Sequence, residues 1–471
     1  MDHRTPDPSV ILRRQLSRRD VLRLGAFAGS ATFLASCQGA GQSPLASLQP
    51  SLGASGSPAA SGSPGASSAT SFAGTTIRAQ TGGETQIVAE LAKPLWEKAT
   101  GGKIELEFTA FGERAQKYAS IVATEDPTFD VMHLEGPFGG ALGDSLYEDL
   151  TPWIGDTSDF IPATVTSLTW GGKLLAAPVY ALVMFYMYNR QYYEDAGIDP
   201  DNVPKTWDEL YAFADALHVG DRYAFLAGWL SGPYYTANLF LSFLNSTSAT
   251  PVNSEGTAVG FDNDDGLLAF QTLKRGFETN FFDPNAMTTA TLEDSAILFN
   301  QGLTATVFAF PSHHAWAISE DVANYSATLD PAVVGVDIMP GIKAGTSGSI
   351  NGYEGFGLNR FGKQKEAAAS FINFVVSPEF QKVMNLQGVT GFPSTRLSVV
   401  NDPEVASAYP LGEVLAEQGT YNVSNYNFPF DWYPPVELSV RNMHDGTWSA
   451  EQAHEEAVKG VADVITKYQA S

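Results

Sequence analysis

Aromatic rings that share a loop with carboxylates or hydroxyls are the residues of this chain whose types and spacing could do chemistry. Pyranose rings present apolar C–H faces that pack on aromatic side chains, and hydroxyls that need carboxylates, amides or arginine. Such a combination recognises a polyhydroxylated solute without making or breaking a bond. Gly228-Trp229-Leu230-Ser231-Gly232-Pro233-Tyr234-Tyr235-Thr236 is one such loop, offering Trp229, Tyr234 and Tyr235 as ring platforms. Glu135-Gly136-Pro137-Phe138-Gly139-Gly140 is a polar, glycine-rich loop at a strand end, with Glu135 as hydroxyl acceptor. Glu84 follows Gly82-Gly83 after the first strand, the place where open α/β sheets bind ligands.

Other chemistries find little support. Adjacent His313 and His314 point apart in either regular structure, so they make a poor metal pair. Asp262-Asn263-Asp264-Asp265-Gly266 fails the EF-hand pattern, because Phe261 and Thr272 occupy its first and twelfth ligand positions. An acidic helix start explains it better. There is no G-x-S-x-G, no P-loop and no G-x-G-x-x-G after a strand. Neither a cofactor nor a resident metal is expected.

The elements that must position these residues read as alternating strands and helices. Thr76 to Gln80 is a strand, followed by a helix with Ile87, Val88, Leu91 and Leu95 on one face, Pro94 inside it and Gly101 as its stop. Lys103 to Phe111 alternates Ile104, Leu106 and Phe108 inward. A helix from Glu113 to about Thr124 precedes a strand over Phe129 to Leu134. These spacings argue for βαβ units on a largely parallel sheet. Thr206-Trp207-Asp208-Glu209 is a capping-box start, repeated by Ser449 with Gln452 before the final helix. Gln364 to Val376 is an alanine-rich helix, and Ser377-Pro378-Glu379 starts another.

Length and charge bound the rest. The chain has 471 residues, enough for two cores, and a net charge of -25, which repels nucleic-acid phosphates and anionic lipid. Its N-terminus holds an arginine-rich stretch and then the apolar run Leu24 to Ser36, too short to span a bilayer. Ser17-Arg18-Arg19-Asp20-Val21-Leu22 resembles a twin-arginine export signal, with an ordinary secretory signal as the alternative. Leu34-Ala35-Ser36-Cys37 resembles a bacterial lipobox, and Cys37 is the only cysteine of the chain. That resemblance implies cleavage of residues 1–36 and lipidation of Cys37. From Gln38 to Thr75, 29 of 38 residues are Gly, Ala, Ser or Pro and none is charged, the composition of a tether that cannot build a core. Residues 37–75 are therefore expected to link an anchor on the outer face of the cytoplasmic membrane to a globular part that starts at Thr76.

Several stretches of that globular part, in order, resemble the carbohydrate-type extracellular solute-binding proteins of ABC importers, the maltose-binding-protein-like family. They are Leu146-Tyr147-Glu148-Asp149-Leu150-Thr151-Pro152, Gly172-Lys173 through Pro178 to Tyr188-Asn189, Ala196-Gly197-Ile198-Asp199-Pro200 with Pro204-Lys205-Thr206-Trp207-Asp208-Glu209-Leu210, and Glu366 to Ser377-Pro378-Glu379. The resemblance implies an α/β fold of two lobes, a three-segment hinge and an interlobe ligand cleft. It puts the crossings near Tyr180–Met184, Phe308–Pro311 and Tyr353–Gly357. The lobes would then be 76–180 plus 311–353, and 184–308 plus 357–471. It further implies ligand contacts from Tyr180, Tyr353 and Glu354 at the crossings, from Trp432 in Asp431-Trp432-Tyr433, and from His313. Ser312 stands where many relatives have Trp, which leaves a smaller or more polar subsite open.

What the resemblance implies is a monomeric, lipid-anchored, non-catalytic protein that captures a mono- or oligosaccharide and delivers it to an ABC permease. Two alternatives stay open: a non-sugar polar solute such as a polyamine or metal chelate, and an exported glycan hydrolase using two of Glu84, Glu135 and Glu354 as acid and base.

Overall fold

The computed structural model describes residues 71–469 except 136–137, 139–141, 144, 226–232, 254–255, 283–291, 320–328, 351–352, 387–390, 409–410 and 422–429. Strand β1 (Thr76–Thr81), helix α1 (Thr85–Thr100), strand β2 (Lys103–Phe108), helix α2 (Phe111–Thr124) and strand β3 (Val131–Glu135) form the two βαβ units that the sequence spacing implies. β1 lies parallel to both β2 and β3. On α1 the buried stripe is Thr85, Val88, Ala89, Ala92 and Trp96. The two alanines let the helix lie close on the sheet, so Ile87 and Leu95, expected inward, point away from it and stay exposed. α1 runs through Pro94 unbroken. β2 is an edge strand, which leaves Phe108 46% exposed although alternation would turn it inward.

β4 (Thr169–Trp170) and β5 (Lys173–Leu174) form a small antiparallel pair that leads into β6 (Ala177–Tyr180). From there the chain leaves the first sheet. β7 (Phe185–Asn189), β8 (Tyr223–Phe225), β9 (Thr304–Ala309) and β10 (Val334–Asp337) build a second sheet in the order β10-β7-β9-β8. Between β7 and β8, Thr206 caps a short helix through a capping box whose two hydrogen bonds are both made. The fifth strand of the first sheet is β11 (Glu354–Leu358), inserted antiparallel between β3 and β6 to give the order β2-β1-β3-β11-β6.

Two cores follow from the two sheets. The first gathers Ile77, Trp96, Ile104, Val131, Phe356 and Phe371, the last on helix α7 (Lys365–Val375), with helix α8 (Pro378–Leu386) beside it. The second gathers Trp207, Phe225, Phe240, Phe308, Val440 and Val461, with helices α4 (Pro233–Leu244), α9 (Tyr433–His444) and α10 (Ala450–Gln469) around them. We number Trp207–Tyr211 as α3, and Asp264–Glu278 and Pro311–Ala317 as α5 and α6. The N-terminus of α5 is capped by Asn263, whose side chain accepts from the Gly266 N–H, as expected for an acidic helix start.

The segments that complete each lobe differ from the expected division. Residues 334–337 pair with β7 in the second sheet, whereas 354–358 and α7 join the first. Two glycines seat β11 there. A Cβ on Gly355 would lie 2.3 Å from the Ala177 carbonyl oxygen, and one on Gly357 2.3 Å from that of Leu175, so only glycine lets β11 lie this close to the chain of β6. The chain changes sheet across 181–184 and again just before Glu354, near two of the expected crossings. The third expected crossing, Phe308–Pro311, leads instead into α6, which packs back on β9. The chain regains the second lobe further on, where the Gln418 side chain accepts from the Met339 N–H at 2.7 Å. A third, smaller apolar cluster with Ala181, Val183, Phe299, Ala309, Ala317 and Tyr353 lies where these segments run.

Candidate functional site

β3, β11 and β6 end at one edge of the first sheet, the edge from which the chain crosses to the second lobe. Register puts Glu354 directly opposite Glu135 on one side and Tyr180 on the other. Directly opposed residues of an antiparallel pair share a face with Cβ atoms about 5 Å apart, where like charges repel. The row Glu135, Glu354, Tyr180 therefore needs a counter-charge, and α2 supplies it.

Arg114 Nη1 donates to Glu135 Oε2 at 2.7 Å, with both side chains more than nine-tenths buried. Its Nε donates to the Thr109 carbonyl at 3.3 Å. The Gly82-Gly83 turn makes room for it: a Cβ at Gly82 would lie 2.6 Å from the Arg114 guanidinium. Glu354 Oε2 accepts from the Tyr180 hydroxyl at 2.6 Å and pairs with His133 Nε2 at 2.7 Å. Beneath them Tyr118 donates to Gln80 at 2.8 Å and sits 3.0 Å from the His133 carbonyl, which Tyr147 also reaches at 2.9 Å. His133 Nδ1 has no hydrogen-bond partner among the described residues.

The second lobe meets this row directly. The Tyr234 hydroxyl at the start of α4 donates to Glu135 Oε1 at 3.1 Å. Its ring stands edge-on to Tyr235 at 5.4 Å and to Tyr433 at 5.9 Å. One wall thus carries carboxylates and a guanidinium, and the other carries aromatic rings.

These neighbours split the two carboxylates. Burial, and then the Glu354 charge, push Glu135 up to about 7 against the pull of Arg114 and the Tyr234 hydroxyl. Burial also acts to raise Glu354, but His133, Arg114 and the Tyr180 hydroxyl outweigh it and hold it below the usual carboxylate range. Burial keeps the His133 imidazole below its ordinary value despite Glu354, so Arg114 is the firm positive charge of the cluster.

Of the residues singled out in the sequence, the structure brings together Glu135, Tyr180, Tyr234, Tyr235 and Glu354. Glu84, half-buried after the glycine turn, is near enough for its charge to act on the Tyr180 phenol. Tyr353 packs in the small cluster between the lobes. Trp432 is 1% exposed and its ring meets Tyr433 at 4.5 Å, so it offers no open face as a platform. His313 is buried too: its Nδ1 accepts from the Phe310 N–H, closing the start of α6, and burial pushes the ring down to about 3. Trp229 and Cys37 lie outside the described residues. Arg114 and His133 were not singled out in the sequence, yet they hold Glu135 and Glu354. A lone arginine near a helix start reads as solvent-facing, and only Tyr118 one turn later hints that this face of α2 turns inward. Among the described residues no group of three His, Cys, Asp or Glu could hold a metal, and no helix is long and apolar enough to cross a membrane.

Comparison with known proteins places this geometry. The family model of bacterial extracellular solute-binding proteins matches residues 80–382. The chain belongs to this family. A "probable amino-acid ABC transporter periplasmic-binding protein" of Sinorhizobium fredii is 23% identical over 416 residues, 85% of this chain and 88% of that protein. Among solved structures, T. maritima MalE3 with bound maltose superposes at a TM-score of 0.70 with 21% identity, covering 83% of this chain and all of that one. An ABC transporter solute-binding protein from Agrobacterium radiobacter, in complex with ribitol, gives 0.69 with 20% identity over 84% of this chain and 100% of that one. At these identities the structures establish a shared two-lobe α/β fold for this solute-binding protein, while the named ligands differ from one relative to the next.

Proposed function

We propose that this solute-binding protein is the lipid-anchored capture component of an ABC importer, which takes a carbohydrate or polyol between its lobes and passes it, unchanged, to a permease. The observation that carries the proposal is the hydrogen bond between Tyr234 and Glu135. It spans the lobes and joins a hydroxyl-reading wall (Glu135, Glu354, Tyr180, Arg114) to an aromatic one (Tyr234, Tyr235). Polyhydroxylated ligands need both surfaces at once, and a ligand that contacts both lobes favours their closure. The names of the maltose and ribitol complexes agree with this chemistry.

A thermal-shift screen of the full chain against sugars, polyols, polyamines and amino acids tests it. A sugar or polyol at about 100 times its Kd adds about 2.7 kcal/mol of stability. No shift with any of them, beside a clear shift with an amine or amino acid, overturns the ligand class. Anchoring has its own test: Cys37→Ala releases the protein from membranes, and retention of the variant contradicts lipidation.

The non-sugar reading keeps one specific observation in its favour. Two carboxylates, Glu135 and Glu354, share the charge of Arg114, a third, Glu84, stands near Tyr180, and Trp432 is withdrawn into the core. The hydrolase reading is disfavoured because those three carboxylates all belong to the first lobe. A glycosidase sets its acid and its base or nucleophile on either side of the scissile bond.

A further inference from the structure

The row at the sheet edge carries more negative charge than positive. Both oxygens of Glu135 accept hydrogen bonds, Oε2 from Arg114 and Oε1 from Tyr234, as an ionised carboxylate does. Glu354 is held on one side only. His133 and Tyr180 both meet its Oε2, and Oε1 takes no hydrogen bond among the described residues, although the side chain is nine-tenths buried. The turn beside it leaves that side uncovered. Gly83 stands at φ +52°, and a Cβ there would lie 3.8 Å from Oε1.

Two carboxylates, Glu135 and Glu354, share the charge of Arg114, and Glu84 adds its own near Tyr180. Among the described residues no other lysine or arginine pairs with Glu135 or Glu354. The stretches between 71 and 469 outside them hold no lysine, arginine or histidine. His133 does not redress the balance. Its Nδ1 has no hydrogen-bond partner among the described residues, so an imidazolium would bury an N–H without an acceptor, and burial keeps the ring below its ordinary value. It is a neutral donor to Glu354.

We propose that the solute is an amino sugar or amino polyol, its ammonium group received by Oε1 of Glu354 and its hydroxylated frame packed on Tyr234 and Tyr235. This narrows the carbohydrate or polyol ligand assigned above and rests on that assignment. A buried carboxylate without a full counter-charge is costly, and a hydroxyl that donates to it supplies the hydrogen bond but not the charge. An ammonium group supplies both. Tyr234 and Tyr235, half-buried with their rings edge to face at 5.4 Å, suit the C–H faces of such a frame. A linear polyamine fits less well, because its second ammonium needs an acceptor across the cleft, where the described wall of the second lobe offers rings.

Equilibrium dialysis of the full chain with matched compounds tests this. Amino sugars and amino polyols are compared with their neutral parents and N-acetyl derivatives, beginning with D-glucosamine against D-glucose and N-acetyl-D-glucosamine, and D-glucamine against D-sorbitol. An amine of the panel is expected to bind at least about tenfold tighter than its neutral parent and its N-acetyl derivative. That margin is expected to vanish in Glu354→Gln, with a cooperative melt to show that the variant is folded. The comparison on the wild-type chain needs no variant. Neutral parents that bind as tightly as their amines overturn the proposal and leave the carbohydrate reading standing. A margin that survives in Glu354→Gln, or a plain diamine that binds as tightly as the amino sugars, also overturns it. Failure of every sugar, polyol and amino derivative to bind overturns the carbohydrate reading itself.

Discussion

Glu135 and Glu354 stand opposite one another on adjacent strands, yet their carboxyls answer to different neighbours. Glu354 is held by His133, Arg114 and Tyr180 as a permanent acceptor, while Glu135 is left to balance burial against half a guanidinium. The sign for stability follows. Glu135 is raised by folding, so its contribution is complete below about 4.5 and is lost as pH climbs through about 7. Glu135→Gln, which cannot ionise, should therefore gain on wild type over that window, by about 3 kcal/mol. Urea unfolding at the two ends of the window checks this, and a constant difference between the proteins would contradict it. Arg114→Met removes the counter-charge from a buried pair and should cost about 3–5 kcal/mol in the same assay. At this scale the sequence was legible for the positions of Glu84, Glu135, Tyr234 and Tyr235 beside one sheet end, because a carboxylate at a strand end and tyrosines at a loop-to-helix junction are local signals. It was not legible for Arg114 or His133. Their roles come from the register of β3 with β11 and from the approach of α2 to the Gly82 turn, neither of which is written in neighbouring residues.

Elements with a strong local pattern came out where the sequence put them. The first two βαβ units, the capping box at Thr206 and the helices at 365–375 and 378–386 all rest on alternation, capping or helical periodicity. The short strands β10 and β11 did not sort themselves between lobes. Four or five residues such as Val334–Asp337 carry no mark of which sheet they join, since pairing partners lie far away in sequence. For β11 the run Gly352 to Gly357 reads in the sequence as a strand needing close backbone approach, and Gly355 and Gly357 do alternate on the face that the chain at Leu175 and Ala177 approaches, but the run does not say which lobe it joins. Gly357→Ala drives a Cβ against the Leu175 carbonyl and the Tyr147 ring, and is expected to destabilise the protein by about 1–3 kcal/mol. A shifted urea midpoint with unchanged slope would confirm it, and a wild-type midpoint would show that β11 has room to move. Trp432 and His313, offered as ligand contacts by the family resemblance, are packed among their neighbours here. An aromatic ring or an imidazole in an ungoverned stretch looks available for ligand until its core neighbours, Tyr433 and Phe310, are known.

On the scale of the whole molecule, two cores joined through a small apolar hinge cluster hold a polar wall against an aromatic one. That arrangement suits the capture proposed above, because the candidate acids of the described cleft share one lobe, with Glu135 held by Arg114 and Glu354 by His133 and Tyr180. Membership of the solute-binding family and the two-lobe fold were foreseen from ordered motifs spread along the chain, which survive even where single positions do not. The ligand was not legible, since relatives at about one-fifth identity carry different solutes in one fold.

Titration calorimetry of the full chain with a panel of sugars and polyols, repeated on Glu354→Gln, tests the central claim most directly. The account expects one polyhydroxylated compound to bind at one per chain, to be recovered unchanged, and to weaken by at least tenfold when Glu354 loses its charge, a loss of about 1.4 kcal/mol. Binding that the substitution leaves untouched would move the site away from this sheet edge, and consumption of the ligand would make the protein an enzyme.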